Sequence, residues 1–325
     1  MNAVRQHAPG GELIVEKMEM PRPGPGEVLV KMEAAPVNFS DLSFIDGAYG
    51  MPGSYPVTPG FEGCGTVVGA GKGLLPRWRM NKVVACTPKT GGNGAWAEYM
   101  VTSAARCVPL SGRIPREQGS MLLINPMSAM ALASIAMREK HRAVVNNAAA
   151  STLGKLFFTI CSEHNIEVIN IVRRDTQLKA LKNLGCTYVL NSNTDTFGKN
   201  LQSLIGQLHP TMLLDAVGGE AGSALIEAAP ANSTVITYAK LSGDDVRFDP
   251  RQLLRKDICI KGFQLGNYLE QKNMIQKLRM IRKVTRFIEQ HPMIEIQDRF
   301  ALEKVKEAID QYKKNMSHGK VILTL

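Results

Sequence analysis

The sequence predicts an α/β protein: a doubly wound, six-stranded parallel sheet inserted into a discontinuous β-rich domain. Three observations predict it. The first stretch, to about residue 120, is dense in Pro and Gly and reads as short strands. From 142 to 263, strand patterns alternate with amphipathic helix patterns. That alternation means parallel strands covered on both faces. Last come two strand candidates, too few for a domain of their own, which are expected to rejoin the first piece.

In the first piece, "GELIVEKMEM", "GEVLVKMEAAPVN", "GCGTVVGAG", "NKVVACTP" and "GAWAEYMVT" read as strands separated by turn signals such as "PRPGPG". No crossover helices are evident, so a compact antiparallel barrel or sandwich is expected. The apolar run "MLLINPMSAMALASIAM", 121–137, is broken by Asn125 and Pro126. It falls short of the ~18–20 uninterrupted residues of a membrane span and reads as a buried helix.

The strand candidates of the second piece are "RAVVNNA" (142–148), "EVINIV" (167–172), "TYVL" (187–190), "TMLLDAV" (211–217), "TVITYA" (234–239) and "DICIKGF" (257–263). Between the first two, Leu153, Leu156, Phe157, Ile160 and Cys161 make one apolar helix face. Phe197, Leu201, Leu204, Ile205 and Leu208 repeat the pattern. Six strands so arranged fit a dinucleotide-binding domain. The third piece has a basic amphipathic helix, "QKNMIQKLRMIRKVTRFIEQH", read as a solvated outer face. A strand "IEIQDRF", a helix "ALEKVKEAIDQYKKN" and a strand "KVILTL" follow, with no crossover pattern of their own.

The turn in "HRAVVNNAAASTLGKLFF" sits where a dinucleotide-binding protein carries glycines for a tight turn, for backbone approach to pyrophosphate and for helix packing. Here Gly154 fills the third role. Ala149, Ala150 and Ser151 are small, and Ser151 and Thr152 carry hydroxyl donors. The helix that follows points its first N–H groups at an anion. About 20 residues on, where a residue reads the ribose, stand Arg173, Arg174 and Asp175. Two arginines suit a 2′-phosphate, so NADPH is preferred, while Asp175 keeps NADH open. By topology, residues just beyond the strand ends become cofactor contacts: Val217 and Gly218 in "AVGG", Tyr238 and Ala239 in "YAK".

The formal charge of +10 favours anionic partners, though a solvated basic surface is the simpler account. The six cysteines form no C-x-x-C pair, and most lie in apolar runs, which suits a reducing compartment without disulfides. No signal-peptide pattern opens the chain, and a cytoplasmic location is expected.

"PRPGPGEVLVKMEAAPVNFSDL", "PGFEGCGTVVGAG", "GAWAEYMV" and "LINPMSAMAL", in that order, resemble the medium-chain dehydrogenase/reductase superfamily over nearly the whole chain. The resemblance implies a GroES-like catalytic domain at 1–121 and 267–325, and a Rossmann domain at 122–266. Zinc-dependent members place Cys where this chain has Asn38, and His where it has Phe61. Asn38 is a poor zinc ligand and Phe61 cannot be one. The four cysteines of the structural zinc lobe are absent, and Glu62 alone reads as a hydrogen-bond acceptor. No zinc is therefore expected. The resemblance is to the zinc-free branch: quinone oxidoreductases, alkenal reductases and 2-enoyl thioester reductases.

"FIDGAYGMPGSYPVTPGFEG" is similar to the mitochondrial-type 2-enoyl thioester reductase pattern, although quinone reductases share its G-x-Y. The resemblance makes Tyr49 the catalytic acid, in a segment expected to face the cleft between the domains. Tyr55 is the alternative, read as structural. A tyrosine is a neutral proton donor at pH 7. The resemblance also implies Asn38 near the nicotinamide ribose and substrate, and Asn125, Ser128, Leu153, Phe263 and Leu265 as cofactor contacts. Lys320 either approaches the cofactor or stabilises the last strand, and Ser40 and Asp41 hold their loop. The implied activity is NADPH-dependent hydride transfer to an activated alkene, quinone or acyl thioester, by a homodimer. The other reading is a family member that kept the fold, lost catalysis and binds single-stranded nucleic acid; the glycine-poor loop favours it.

Overall fold

The computed structural model describes residues 1–49, 55–291 and 294–325. It contains two compact units, one of residues 1–126 with 281–325, the other of residues 127–280. The sequence reading put the divisions at 121/122 and 266/267. The helix Met274–Gln290 runs through the second division, which a pattern of helices and turns alone does not mark.

In the first unit, β1 (Asn2–Gln6) and β2 (Leu13–Lys17) form an antiparallel pair. Next come β3 (Glu27–Pro36), β4 (Gly63–Ala70), β5 (Val83–Cys86), β6 (Tyr99–Ser103) and β7 (Cys107–Pro109). Alternation in β3 buries Val28, Val30 and Met32, while Lys31 between them is exposed. Gly65 lets β4 lie close on β3, because a Cβ there would stand 2.1 Å from the Lys31 carbonyl oxygen. Trp96 is fully buried at the centre of this core, and its indole N–H donates to Pro36 O at 3.2 Å.

The second unit holds β8 (Ala143–Asn146), β9 (Glu167–Val172), β10 (Tyr188–Asn191), β11 (Met212–Asp215), β12 (Thr234–Thr237) and β13 (Cys259–Gly262). All pair in parallel, in the order β10-β9-β8-β11-β12-β13. Both β8 and β11 are buried throughout, as sheet strands covered on two faces must be. The chain order reverses between β8 and β11, which is the switch point where such sheets bind ligands.

The chain returns to the first unit with β14 (Ile296–Ala301) and β15 (Lys320–Thr324). Its C-terminal strands rejoin the N-terminal sheet, β15 pairing antiparallel with β3. The sequence reading missed one feature: β14 and β15 are parallel, and the helix Val305–Lys314 is their crossover. It also overran several strands. β8 stops at Asn146 because Ala148 takes a left-handed φ of 50°, which ends extended backbone. Cys64, Cys86, Cys107, Cys161 and Cys186 are buried, Cys259 is exposed, and all are free. No described helix is long and apolar enough to cross a membrane.

Candidate functional site

The predicted residues fall into two sets, one in each unit. In the first, β3 runs out at Pro36 and Asn38 caps the helix Phe39–Ile45. Asp41, in that helix's first turn, accepts from the Asn38 backbone N–H at 2.8 Å through Oδ2. Its Oδ1 accepts from the Phe61 backbone N–H at 2.9 Å. The Asn38 side chain enters a buried cluster. Its Nδ2 donates to Glu62 Oε1 at 3.0 Å. Its Oδ1 accepts from Asn125 Nδ2 at 2.9 Å and from Lys320 Nζ. The other Glu62 oxygen accepts from the backbone N–H groups of Leu123 and Ile124, at 2.8 and 3.0 Å. Asn38, Asn125 and Lys320 thus form one hydrogen-bonded group.

The charges of this group are taken out of water, which disfavours every charged form. Burial pushes the Asp41 carboxyl up to about 7, against the pull of two backbone donors and Lys320. Burial likewise raises Glu62 and lowers Lys320, and the attraction between the two opposes both shifts. Lys320 Nζ also lies 5.5 Å from the centre of the Tyr312 ring, within cation–π range.

Tyr49 is half-buried, its ring 4.9 Å from that of Phe61 at an interplanar angle of 36°. Phe44 meets the same Phe61 edge-on at 5.5 Å. Since the Phe61 N–H is held by Asp41, the ring that supports Tyr49 is anchored to the helix start carrying Asn38. Residues 50–54 of the quoted G-x-Y segment lie outside the described residues.

The second set surrounds the carboxyl ends of β8 to β13. Beyond β8 the chain passes Asn147 and Ala148–Ala150, and Ser151 caps the helix Thr152–Glu163. The Ser151 hydroxyl accepts from the Gly154 N–H at 3.1 Å. Gly154 is required by space: a Cβ would sit 2.5 Å from Ala149 O. Ala149, Ala150 and Leu153 are buried, Thr152 half-buried. Arg173 and Arg174 follow β9 directly and are exposed. Asp175 opens the next helix, its carboxylate taken by Asn191 Nδ2 at 2.7 Å.

Val217 and Gly218 follow β11, and their N–H groups both donate to Asp215 Oδ1 at 3.0 Å. Tyr238 and Ala239 follow β12 and are half-buried. The Tyr238 hydroxyl is buried without a hydrogen-bond partner among the described residues. Burial and the Asp215 charge hold that hydroxyl in its protonated form. Phe263 follows β13 and packs on Tyr268 at 5.8 Å, Leu265 starts the next helix, and Ser128 is buried in the helix Asn125–Arg138. A helix N-terminus with a close-packed glycine at the switch point, and two exposed arginines after the neighbouring β9, fit a dinucleotide phosphate.

Residues 24–112 match the alcohol dehydrogenase GroES-like domain family, and residues 152–282 match the zinc-binding dehydrogenase family. A mitochondrial enoyl-[acyl-carrier-protein] reductase of Caenorhabditis elegans is 30% identical over 291 residues, covering 84% of this chain and 82% of its own. The solved structure of a candidate NADPH:quinone reductase from Mesorhizobium loti is also 30% identical. It superposes with a TM-score of 0.92 over 100% of this chain and 98% of the other. The chain belongs to the medium-chain dehydrogenase/reductase superfamily, in its zinc-free branch.

The chain is an oxidoreductase by descent. A second candidate NADPH:quinone reductase, from Bacillus thuringiensis, is 26% identical with a TM-score of 0.88, covering 100% of this chain and 98% of its own. Among the described residues, no group of three or more His, Cys, Asp or Glu side chains is placed to hold a metal ion. Sequence reasoning passed over Asn147 and Asp215, which the structure joins at 2.6 Å. The available signal was a polar residue at or just past the end of each of two short, buried parallel strands.

Proposed function

We propose that this reductase transfers a hydride from NADPH to the activated C=C bond of a 2-enoyl thioester, without zinc. The observation that carries the reading is Tyr49, a phenol whose ring lies 4.9 Å from that of Phe61, the residue before Glu62 of the buried Asn38–Glu62–Lys320 group. The enoyl reductase name of the C. elegans relative supports this substrate class. When bound, NADPH supplies the hydride for the substrate's β-carbon. The protein then has two tasks: to hold the cofactor and to deliver a proton to Cα. Ser151, Thr152 and Gly154 hold the pyrophosphate at the helix start, and Arg173 and Arg174 take the 2′-phosphate. Val217, Gly218, Tyr238, Ala239, Phe263 and Leu265 complete the seat. Tyr49 donates the proton, and Asn38, Asn125 and Lys320 fix the polar floor beside it.

A quinone is the second reading, favoured by the names of the M. loti and B. thuringiensis structures. A homodimer belongs to the same proposal: β13 ends its sheet and is exposed along its length, an edge that a second copy can pair. The test is NADPH consumption with crotonyl-CoA and with a quinone, in parallel. Turnover of the thioester is expected. Turnover of the quinone alone would replace the first substrate by the second. Absence of NADPH fluorescence quenching at high micromolar cofactor overturns the whole reading.

A further inference from the structure

The loop after β8 makes a turn that glycine makes in other dinucleotide-binding proteins, and makes it with alanine. Ala148 holds φ at 50°, a region that L residues with a Cβ avoid. Something must hold it there. On one flank, Ala149 N–H donates to Ile171 O at 3.2 Å, within the neighbouring strand β9. On the other flank stands Asn147, 2% exposed. Its backbone N–H donates to Leu214 O at 3.2 Å. Its side-chain Nδ2 donates to Asp215 Oδ1 at 2.6 Å, and its Oδ1 accepts from the Ala216 N–H at 2.7 Å. That same Asp215 oxygen collects the N–H groups of Val217 and Gly218. One amide and one carboxylate therefore tie the loop after β8 to the loop after β11, across the switch point.

We propose that Asn147 and Asp215 are positioning residues for dinucleotide binding: their side-chain clamp holds the alanine turn in the form that glycine supplies elsewhere. The proposal rests on the reading of the loop as a cofactor seat. Asn146, one residue earlier on the strand, faces the other way and contacts Gly154 O and Asn170 Oδ1, both at 3.4 Å. The two asparagines thus serve opposite sides, and the one before the left-handed residue serves the clamp.

A clamp and a stability contact make different predictions, because glycine takes the left-handed turn without help. NADPH affinity is read by fluorescence quenching for Asn147→Ala, Ala148→Gly and the double variant, with circular dichroism as a fold check. Asn147→Ala is expected to weaken binding at least tenfold. Ala148→Gly stays within about threefold of the parent, and the double variant recovers most of the loss. Asp215→Asn, which keeps an acceptor for Val217 and Gly218, is measured alongside and is expected to weaken binding too. If Asn147→Ala does not fold, a loss in Asp215→Asn restored by adding Ala148→Gly carries the same conclusion. Unchanged affinity in a folded Asn147→Ala, or no recovery on adding Ala148→Gly, overturns the clamp while the cofactor reading stands. No binding by the parent protein overturns both.

Discussion

Asn38 and Lys320 meet inside the first unit although 282 positions separate them, the Lys320 ammonium donating to the Asn38 side-chain amide oxygen Oδ1. Both are nearly fully buried, and Asn38 passes the contact on to Glu62. Here the positive charge among the buried acids Asp41 and Glu62 is an ammonium.

Removing that ammonium should cost far more than removing an exposed one. Above about pH 7, where Asp41 is ionised, Lys320→Met leaves the buried acids without a counter-charge, a loss of up to about 3–5 kcal/mol by the general behaviour of broken buried pairs. Lys320→Met with Glu62→Gln removes one charge of each sign and should regain a good part of it. Urea unfolding measures both. A single variant as stable as the parent would mean that the lysine carries no weight in the cluster.

The same burial fixes how stability responds to pH. Asp41 titrates near 7 in the folded chain and near 4 when unfolded, so between those values the folded state binds the extra proton. Stability is therefore highest below the unfolded value and falls as pH rises toward about 7. Glu62 acts in the same direction, and Lys320, held below its ordinary value, acts oppositely in the alkaline range. Urea midpoints at about pH 5 and about pH 8 should show a loss on the order of 2–4 kcal/mol from Asp41 alone. Asp41→Asn should flatten that slope. An equal slope in the variant would remove Asp41 as its source.

The six parallel strands were legible because each is a short apolar run between turn residues, and β9 coincides with the quoted "EVINIV". Gly154 and the arginines after β9 were legible from spacing alone. The Asn147–Asp215 clamp was not. Its partners lie 68 positions apart, and "RAVVNNA" reads as unbroken strand because nothing in it announces that Ala148 turns left-handed. The parallel pairing of β14 with β15 was hidden for a related reason. Two strands and one helix suit a crossover only once β3 offers an edge for β15, and that edge is set by residues at the far end of the chain.

Cofactor choice can be separated from cofactor binding at Arg173. Its side chain is exposed just beyond β9, whereas the Asp175 carboxylate is engaged by Asn191. A 2′-phosphate gains charge-assisted hydrogen bonds worth roughly 1.5–3 kcal/mol, or about 10- to 150-fold in affinity. Arg173→Ala should weaken NADPH by that order and leave NADH nearly unchanged. Equal losses for both cofactors would point to a disturbed loop, and no loss to an arginine that faces solvent.

Tyr49→Phe is the sharpest test of the proton donor, because the geometry separates ring from hydroxyl. Phenylalanine keeps the contact with the Phe61 ring at 4.9 Å, and Phe61 stays anchored through Asp41. The packing role therefore survives the substitution and only the phenol is lost. A positioned general acid contributes about 10²–10⁴ in rate. The variant should lose kcat by that order with crotonyl-CoA, while NADPH quenching, which the proposal assigns mainly to residues beyond the parallel strands, stays near the parent value. A solvent isotope effect on kcat should shrink at the same time if the remaining turnover takes its proton by another route. Full activity in Tyr49→Phe would move the proton donor elsewhere, with Tyr55 next to be changed.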